Sequence, residues 1–110
     1  MNKVRISSRY TALAISLLGK QIQLGRKQRK WSEAELASRA GIARATLQKI
    51  EKGDPHCAIG LVFEVAALVD IQLFEAEKPS LAQHIQQTND KIALLPKRVR
   101  SPPRDIDDDF

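Results

Sequence analysis

The sequence has only one cysteine, and aromatic residues make up 5% of its 110 residues. The lone Cys57 excludes a disulfide within the chain and favours a reducing compartment, so we expect a cytoplasmic protein. A core with so few aromatic residues must be built from Leu, Ile, Val and Ala, which favours a small helical bundle. The length is enough for one small domain with appendages.

Long hydrophobic runs are also missing. The longest apolar stretch, residues 59–69, contains Glu64 and is much shorter than the ~20 residues needed to cross a bilayer. Cations within residues 3–9 precede an apolar run at 12–18, as in a signal peptide, but no small-residue cleavage site follows. We therefore expect neither a membrane span nor secretion.

Residues with catalytic or metal-binding chemistry are sparse. His56 and His84 lie far apart in the sequence, and the neighbouring pair His56 and Cys57 offers only two metal ligands. The acidic run 107–109 lies in a proline-broken tail that provides no preorganised cage for a cation. A glycine-rich phosphate loop is absent. We predict no enzyme activity, no catalytic residue, no metal site and no cofactor.

Charge is distributed unevenly along the chain. Residues 1–60 contain twelve Lys and Arg against four Asp and Glu, a net charge of +8. Residues 61–110 contain six against nine, a net charge of −3. The basic half is the candidate for contact with a polyphosphate, and a basic surface that serves only solubility is the alternative.

Apolar residues at helical spacing predict five helices. The first runs from Tyr10 to about Lys27, the second from Ser32 to about Arg39, the third from about Arg44 to Lys52, the fourth over Ile59–Val69, and the fifth from Pro79 to about Leu95. The predicted inward residues are Leu13, Ala14, Leu17, Leu18 and Ile22 in the first helix, Leu36, Ala37 and Ala40 in the second, and Leu47 and Ile50 in the third. The apolar fourth helix is predicted to be buried among the others.

The second helix has clear boundary signals. Ser32 and Glu35 form a capping box, and Trp31 stands where a hydrophobic staple would pack on the first turn. Gly41 follows the helix, and a glycine adopts a left-handed conformation at no steric cost. Ile42 is then expected to fill the turn, and Gly53 ends the next helix.

Two short helices joined by such a turn match the requirements of a helix-turn-helix, in which the second helix enters the major groove of DNA. The residues that carry this pattern also resemble the Xre/Cro/phage-repressor family over residues 10–75. They are Leu36-Ala37, Ala40-Gly41-Ile42, Thr46-Leu47, Ile50-Glu51 and Gly53. The resemblance implies a mainly α, five-helix, lambda-repressor-like helix-turn-helix fold that binds double-stranded DNA as a two-fold dimer.

On this interpretation the third helix reads base edges. Arg44 can contact guanine bidentately, Gln48 can do the same for adenine, and Ala45 or the Thr46 methyl can meet a thymine methyl. Cations near the phosphates would set orientation, including members of the 26–30 cluster. The predicted DNA-binding residues are Ser32, Glu33, Arg39, Arg44, Ala45, Thr46, Gln48, Lys49 and Lys52. A solvated helix face is the alternative for each exposed charge.

Two residues of this motif depart from the family pattern. Glu33 stands where the family usually has a Gln that touches DNA, and a carboxylate is repelled by phosphate although it favours a helix N-terminus. Ala43 stands where a Ser or Thr usually caps the recognition helix, and its loss forfeits ~1 kcal/mol. Ala58 likewise replaces the usual cap of the fourth helix. We expect DNA affinity that is retained but moderate.

The sequence after the fourth helix extends the resemblance. Partial alternation over Ile71–Ala76 predicts a short strand, which resembles the intersubunit strand of HipB-type antitoxins. These are Xre-family repressors that neutralise HipA-type Ser/Thr kinase toxins and repress their own operon. The resemblance implies a homodimer, operator DNA and a HipA-like kinase toxin as partners. We divide the chain into a DNA-binding domain, residues 1–78, and a C-terminal helix with a flexible tail, residues 79–110.

The tail after Pro96 is basic, then proline-broken, then acidic, and cannot fold by itself. The segment from Leu94 to Phe110 resembles tails of regulators paired with HipA-like proteins. It is either a solvated tail or a segment that becomes ordered on a partner. In the second case the contact residues are Val99, Arg100, Ile106 and Phe110.

Three functions remain open at this point. The first is an autoregulating antitoxin of a HipA-like kinase. The second is a stand-alone Xre-family transcriptional regulator without a toxin partner. The third is a protein-interaction module that has lost DNA binding, to which Glu33 points.

Overall fold

The structure is a computed structural model that describes residues 8–74 and 78–99. Five helices are formed in these ranges: α1 (Arg9–Gln28), α2 (Glu33–Ala40), α3 (Arg44–Glu51), α4 (Ile59–Leu68) and α5 (Lys78–Ala93). All five predicted helices are confirmed, with boundaries shifted by one or two residues. The chain divides into two compact units, Met1–Leu73 and Phe74–Phe110. Within the described ranges, no helix is both long and apolar enough to cross a membrane.

A small aliphatic core holds the first unit together. Its fully buried members include one large side chain from each of α1 to α4: Ile22, Leu36, Leu47 and Val65. Burial of each such side chain contributes about 1.5–3 kcal/mol relative to exposure. The predicted inward residues Leu36, Ala37, Leu47 and Ile50 are all buried. The core therefore fixes the angle between α2 and α3, the two helices of the turn.

The predicted buried stripe of α1 is partly wrong. Leu13 and Leu17 are 56% and 57% exposed, and Ala14 is also exposed. The inward face instead contains Leu18, Gly19, Ile22 and Gly25, with Ile15 half-buried beside them. The physical reason is close packing at the glycines: a Cβ on Gly19 would lie 2.6 Å from the Ile50 carbonyl oxygen. Only the face of α1 that carries Gly19 can approach α3 this closely.

The fourth helix is less buried than its composition predicts. Val65 and Ala66 are buried in the helix and Val69 just beyond it, whereas Ile59 is 72% exposed and Phe63 is 40% exposed. One face of an apolar helix is enough to complete a core of this size.

The second helix ends as its sequence predicts, and the capping box predicted at its start is half formed. The Ser32 hydroxyl accepts a hydrogen bond from the Glu35 backbone N–H at 3.0 Å. The carboxylate of Glu35 pairs with Arg39 rather than with the Ser32 backbone, so one half of the capping box is formed. Gly41 has φ 70° and ψ 33°, and the Ile42 N–H donates to the Ala37 carbonyl at 3.0 Å. This bond and the left-handed glycine form a Schellman motif.

The third and fourth helices begin without a side-chain cap. Ala43 and Ala58 have the extended backbone of an N-cap residue, but neither side chain can accept a hydrogen bond. The prediction from the missing Ser or Thr is therefore confirmed at both positions.

The segment after α4 does not form the predicted strand. Residues 71–74 are irregular and bend at Leu73 and Phe74, while Glu75 and Ala76 lie outside the described residues. A strand requires the edge of a second strand, and the described ranges of the single chain contain none. In the second unit, α5 carries Leu81, Ile85 and Ile92 along one side, as its spacing predicts.

Candidate functional site

The exposed face of α3 presents the side chains that the sequence singled out. Arg44 and Gln48 are four residues apart and therefore lie on one face of the helix. The side chain of Arg44 is 63% exposed, and Gln48 is half-buried beside α2. Ala45, Lys49 and Lys52 are exposed, while Thr46 is half-buried. Leu47 and Ile50 point into the core and hold this face outward.

Glu33, the first residue of α2, connects the two helices. One oxygen of its carboxylate, Oε1, accepts hydrogen bonds from Arg44 Nε at 3.2 Å and from Gln48 Nε2 at 3.0 Å. These two bonds lower the pKa of Glu33, the contact with Gln48 more than that with Arg44. The carboxylate is therefore ionised at neutral pH and neutralises a charge on the candidate reading face.

The N-terminus of α2 borders an open depression of about 560 Å³. Backbone N–H groups at a helix N-terminus attract anions, and Ser32 caps this one. Three cationic side chains reach the same depression, but Arg26 is paired with Glu51 and Arg44 with Glu33. Lys27 is the exposed cation of this lining that could contact a phosphate. The lining residues are Gln23, Arg26, Lys27, Ser32, Glu33, Ala34 and Arg44.

Trp31 lies next to this region and is contacted by two arginines. The guanidinium of Arg39 lies 4.2 Å from the centroid of the ring and that of Arg29 lies 5.8 Å away. Arg39 also pairs with Glu35 at 2.9 Å, one turn earlier in α2. The indole packs against the core as the predicted staple requires. Arg39 thus has structural contacts in addition to its predicted role at DNA.

The predicted cluster of cations at residues 26–30 is only partly available for phosphate. Arg26 is buried, and its Nε and Nη2 donate to the two carboxylate oxygens of Glu51 at 2.7 and 3.0 Å. Its Nη1 donates to the Trp31 carbonyl at 3.0 Å, and the pairing with Glu51 raises the pKa of Arg26. Arg29 pairs with Asp70 at 2.8 Å. Lys27 and Lys30 are the exposed members of the cluster.

The pair between Arg26 and Glu51 was not predicted as a pair from the sequence. A signal was present, because Arg26 follows Ile22 by four residues and so continues the buried stripe of α1. Glu51 similarly follows Leu47 by four residues. Two opposite charges on buried faces of neighbouring helices are expected to pair, since an unpaired buried charge is costly.

The predicted partner-binding residues lie mostly beyond the described ranges. Val99 is described and is 86% exposed. Arg100, Ile106 and Phe110 lie outside the described residues. The docking role of this tail therefore stays a prediction.

Comparison with known families finds a match to the part of the chain that contains this geometry. A family model described as helix-turn-helix matches residues 22–75, which include α2, the turn and α3. No curated protein matches the sequence.

Two solved structures share the fold, each with a TM-score of 0.51. One, described as MDT protein, is 21% identical and covers 69% of this chain and 99% of its own. The other, described as a complex of a HipB variant with an O2 20mer, is 22% identical and covers 70% of this chain and 99% of its own. These likenesses concern the fold, and they agree with the mainly α, lambda-repressor-like architecture.

Proposed function

We propose, from the premise that residues 22–75 form a helix-turn-helix domain of the Xre type, that this protein is a transcriptional regulator of double-stranded operator DNA. The observation that carries the proposal is the exposed face of α3. Arg44 and Gln48 stand one turn apart on it, with groups that match the major-groove edges of guanine and adenine. The core residues of the same helix keep that face outward.

Phosphate contacts would come from cations around this face. Lys49 and Lys52 are exposed on and just after α3, and Lys27 borders the depression at the N-terminus of α2. Such contacts set orientation and make binding dependent on salt, but they do not select sequence. We place Ser32 among them, because a helix N-terminus favours a phosphate oxygen.

A salt titration tests the proposal. Duplex DNA from the region upstream of the protein's own gene is titrated at several salt concentrations with wild type and with Arg44→Ala plus Gln48→Ala. Each bidentate contact is worth ~1–3 kcal/mol, so the double variant should bind its preferred duplex at least about 30-fold more weakly. Loss of one phosphate-side cation should also reduce the salt slope by about 1.

The matched control is Lys91→Ala plus Gln86→Ala, which removes a cation and an amide from exposed positions of α5. Its affinity should equal that of wild type. The proposal fails if the Arg44 and Gln48 variant binds as tightly as the control, or if wild type binds DNA without dependence on salt.

We further propose that the protein acts as a homodimer. A dimer places two recognition helices about 34 Å apart on successive turns of DNA, which matches a two-fold symmetric operator. Sedimentation of the full chain, alone and with a symmetric duplex, measures the stoichiometry. A single copy bound to a symmetric duplex at saturation would contradict the proposal.

The biological role that we propose is that of an antitoxin to a HipA-like Ser/Thr kinase, repressing its own operon in the cytoplasm. It is supported by the fold shared with a HipB structure and by the tail's resemblance to regulators paired with such kinases. In this proposal residues 1–78 bind DNA and residues 79–110 dock on the toxin through Val99, Arg100, Ile106 and Phe110.

Co-expression tests this role. A kinase-like gene next to the gene of this protein is expressed with the full chain and with a chain lacking residues 97–110, and copurification is measured. The shortened chain should lose the kinase while it keeps affinity for DNA. Without a kinase-like neighbour, or with unchanged copurification, the alternative of a stand-alone Xre-family regulator is preferred.

A further inference from the structure

The contact of Glu33 with both reading residues is a feature that DNA binding alone does not require. A single carboxylate oxygen accepts from Arg44 Nε and from Gln48 Nε2. We propose that Glu33 is a positioning residue that sets base preference, by holding Arg44 for guanine and Gln48 for adenine. This inference rests on the proposed function, because it concerns which bases the same face of α3 selects.

The hydrogen bonds to Glu33 use only donors that base reading does not need. An arginine has five N–H donors, and Glu33 occupies the one on Nε of Arg44. The four N–H groups on the two terminal nitrogens remain, and guanine O6 and N7 require two of them. Arg44 can thus be held at its Nε and at the same time contact guanine with the N–H groups of its two terminal nitrogens.

Gln48 also keeps hydrogen-bonding groups for a base while it contacts Glu33. Its Nε2 donates one N–H to Glu33 and retains a second N–H, while its Oε1 stays available as an acceptor. Adenine presents one acceptor, N7, and one donor, the N6 amino group, which these two groups match. The adenine-reading edge of the amide stays complete when Glu33 takes the N–H that points away from Oε1.

An ionised carboxylate also selects the orientation of the amide. It only accepts hydrogen bonds, so it binds the NH₂ end of Gln48 and repels the carbonyl end. A glutamine at position 33 could donate as well as accept and would permit both orientations of Gln48. Glu33 therefore fixes a donor and acceptor pattern that the more usual Gln would leave open. The lowered pKa of Glu33 is consistent with this ionised form.

The carboxylate has opposite effects on affinity and on preference. A negative charge near the phosphates weakens binding to every sequence, because nonspecific binding is electrostatic. Ordering two long side chains before binding improves the match with the correct bases, since that ordering then costs less on binding. Glu33 is thus expected to lower affinity for unrelated DNA and to raise discrimination between bases.

The experiment measures base preference directly. Duplexes with a randomised central segment are selected with wild type, Arg44→Ala and Gln48→Ala, which locates the base pair that each residue reads. Single-pair variants of the preferred duplex, and one unrelated duplex, are then titrated with Glu33→Ala and Glu33→Gln. Thermal unfolding of each variant verifies that the domain is folded.

We expect wild type to lose about 10- to 100-fold in affinity when the guanine read by Arg44 is replaced, from the usual worth of a bidentate contact. In Glu33→Ala this discrimination should fall to a few-fold, while affinity for the unrelated duplex rises. Glu33→Gln retains an acceptor and should keep part of the guanine discrimination, but it should relax the choice of adenine at the pair read by Gln48.

Glu35→Ala is the matched control. It removes an acidic residue from the same first turn of α2, and its carboxylate contacts Arg39 instead of the reading residues. It should raise affinity for unrelated DNA and leave base preference unchanged. The inference is overturned if Glu33→Ala binds all duplexes more tightly with the wild-type preference, or if Glu35→Ala changes preference equally. If wild type itself shows no salt-dependent binding, the proposed function fails and this inference fails with it.

Discussion

The two helices of the turn, α2 and α3, have the same length and are stabilised in different ways. Each has eight residues and is followed by a left-handed glycine, Gly41 directly and Gly53 one residue later. α2 begins with a Ser32 cap and two acidic residues in its first turn, whereas α3 begins at an uncapped Ala43 with no acidic residue in its first turn.

This difference shows how a recognition helix is held. A cationic side chain at the N-terminus of a helix opposes the helix dipole, and Arg44 stands at the first position of α3. The Glu33 carboxylate of α2 compensates this charge, while Glu51 holds the other end of α3 through Arg26. α2 therefore has its cap and its favourable charges at its own N-terminus, whereas the charge at the start of α3 is compensated by α2 and its last residue is paired with α1.

The largest expected effect comes from breaking the contact at the end of α3. Glu51→Met leaves Arg26 buried without its partner and should lower the free energy of unfolding by about 3–5 kcal/mol. Arg26→Met should cost a similar amount. The two changes together should cost much less than the sum, because a buried ion pair replaced by apolar residues is often neutral. Chemical denaturation measures all three, and a double variant with additive losses would contradict the account.

Removing the side-chain cap of α2, so that it begins uncapped like α3, is expected to have a smaller effect on stability. Ser32→Ala removes the acceptor of the Glu35 N–H and should lower the free energy of unfolding by about 1 kcal/mol. Ser38→Ala, on the exposed side of the same helix, is the control and should change it by less than about 0.5 kcal/mol. Equal losses in both variants, measured by thermal unfolding, would show that the cap contributes nothing.

Adding a side-chain cap to α3, as α2 has, should raise the free energy of unfolding. Ala43 already has extended backbone angles, φ −70° and ψ 148°, so Ala43→Ser can cap α3 without rearrangement. The expected gain in the free energy of unfolding is about 0.5–1 kcal/mol. Ala45→Ser introduces the same side chain two residues later, where it does not occupy the cap position, and should change the free energy of unfolding by less than about 0.5 kcal/mol. A lower free energy of unfolding in Ala43→Ser would mean that a residue at position 43 cannot act as a cap.

The smallest effect concerns the C-terminal end of α1. Like α2, this helix is followed by a left-handed residue, but that residue is Lys30 and not a glycine. Lys30 has φ 61°, and the Trp31 N–H next to it donates to the Arg26 carbonyl at 3.1 Å. Lys30→Gly removes the steric cost of this conformation and adds some entropy to the unfolded chain, so a net gain of about 0.5 kcal/mol is expected. Lys27→Gly, inside α1, should lose about 1 kcal/mol in the same denaturation assay. A loss in both variants would contradict the prediction.

The sequence predicted the features that local chemistry determines. The Ser32 cap, the left-handed Gly41 and the missing caps at Ala43 and Ala58 each depend on one residue and its immediate neighbours. The five helices and the buried Leu36 and Leu47 follow from spacing along one element. The face of α3 that carries Arg44 and Gln48 follows from the same periodicity.

Apart from the unformed half of the capping box, the errors concern contacts between elements. The apolar residues of α1 allow more than one stripe, and the choice against Leu13 and Leu17 is made by the close approach of Gly19 to α3. Arg26 lies in a run of cations in the sequence, and its buried partner Glu51 is 25 residues away. Alternation over 71–76 predicts a strand, but it does not supply the neighbouring edge that a strand needs. The contacts of Glu33 likewise require the angle between two helices.

The contact at Gly19 has a consequence for how such a protein can change over time. A Cβ there would lie 2.6 Å from the Ile50 carbonyl oxygen and 2.7 Å from that of Glu51, so main chain meets main chain. The last turn of α3 is thus located by atoms that every amino acid shares. Its outward residues can be exchanged one at a time while the helix stays in place. Successive substitutions can therefore give a descendant a new DNA target on an inherited scaffold.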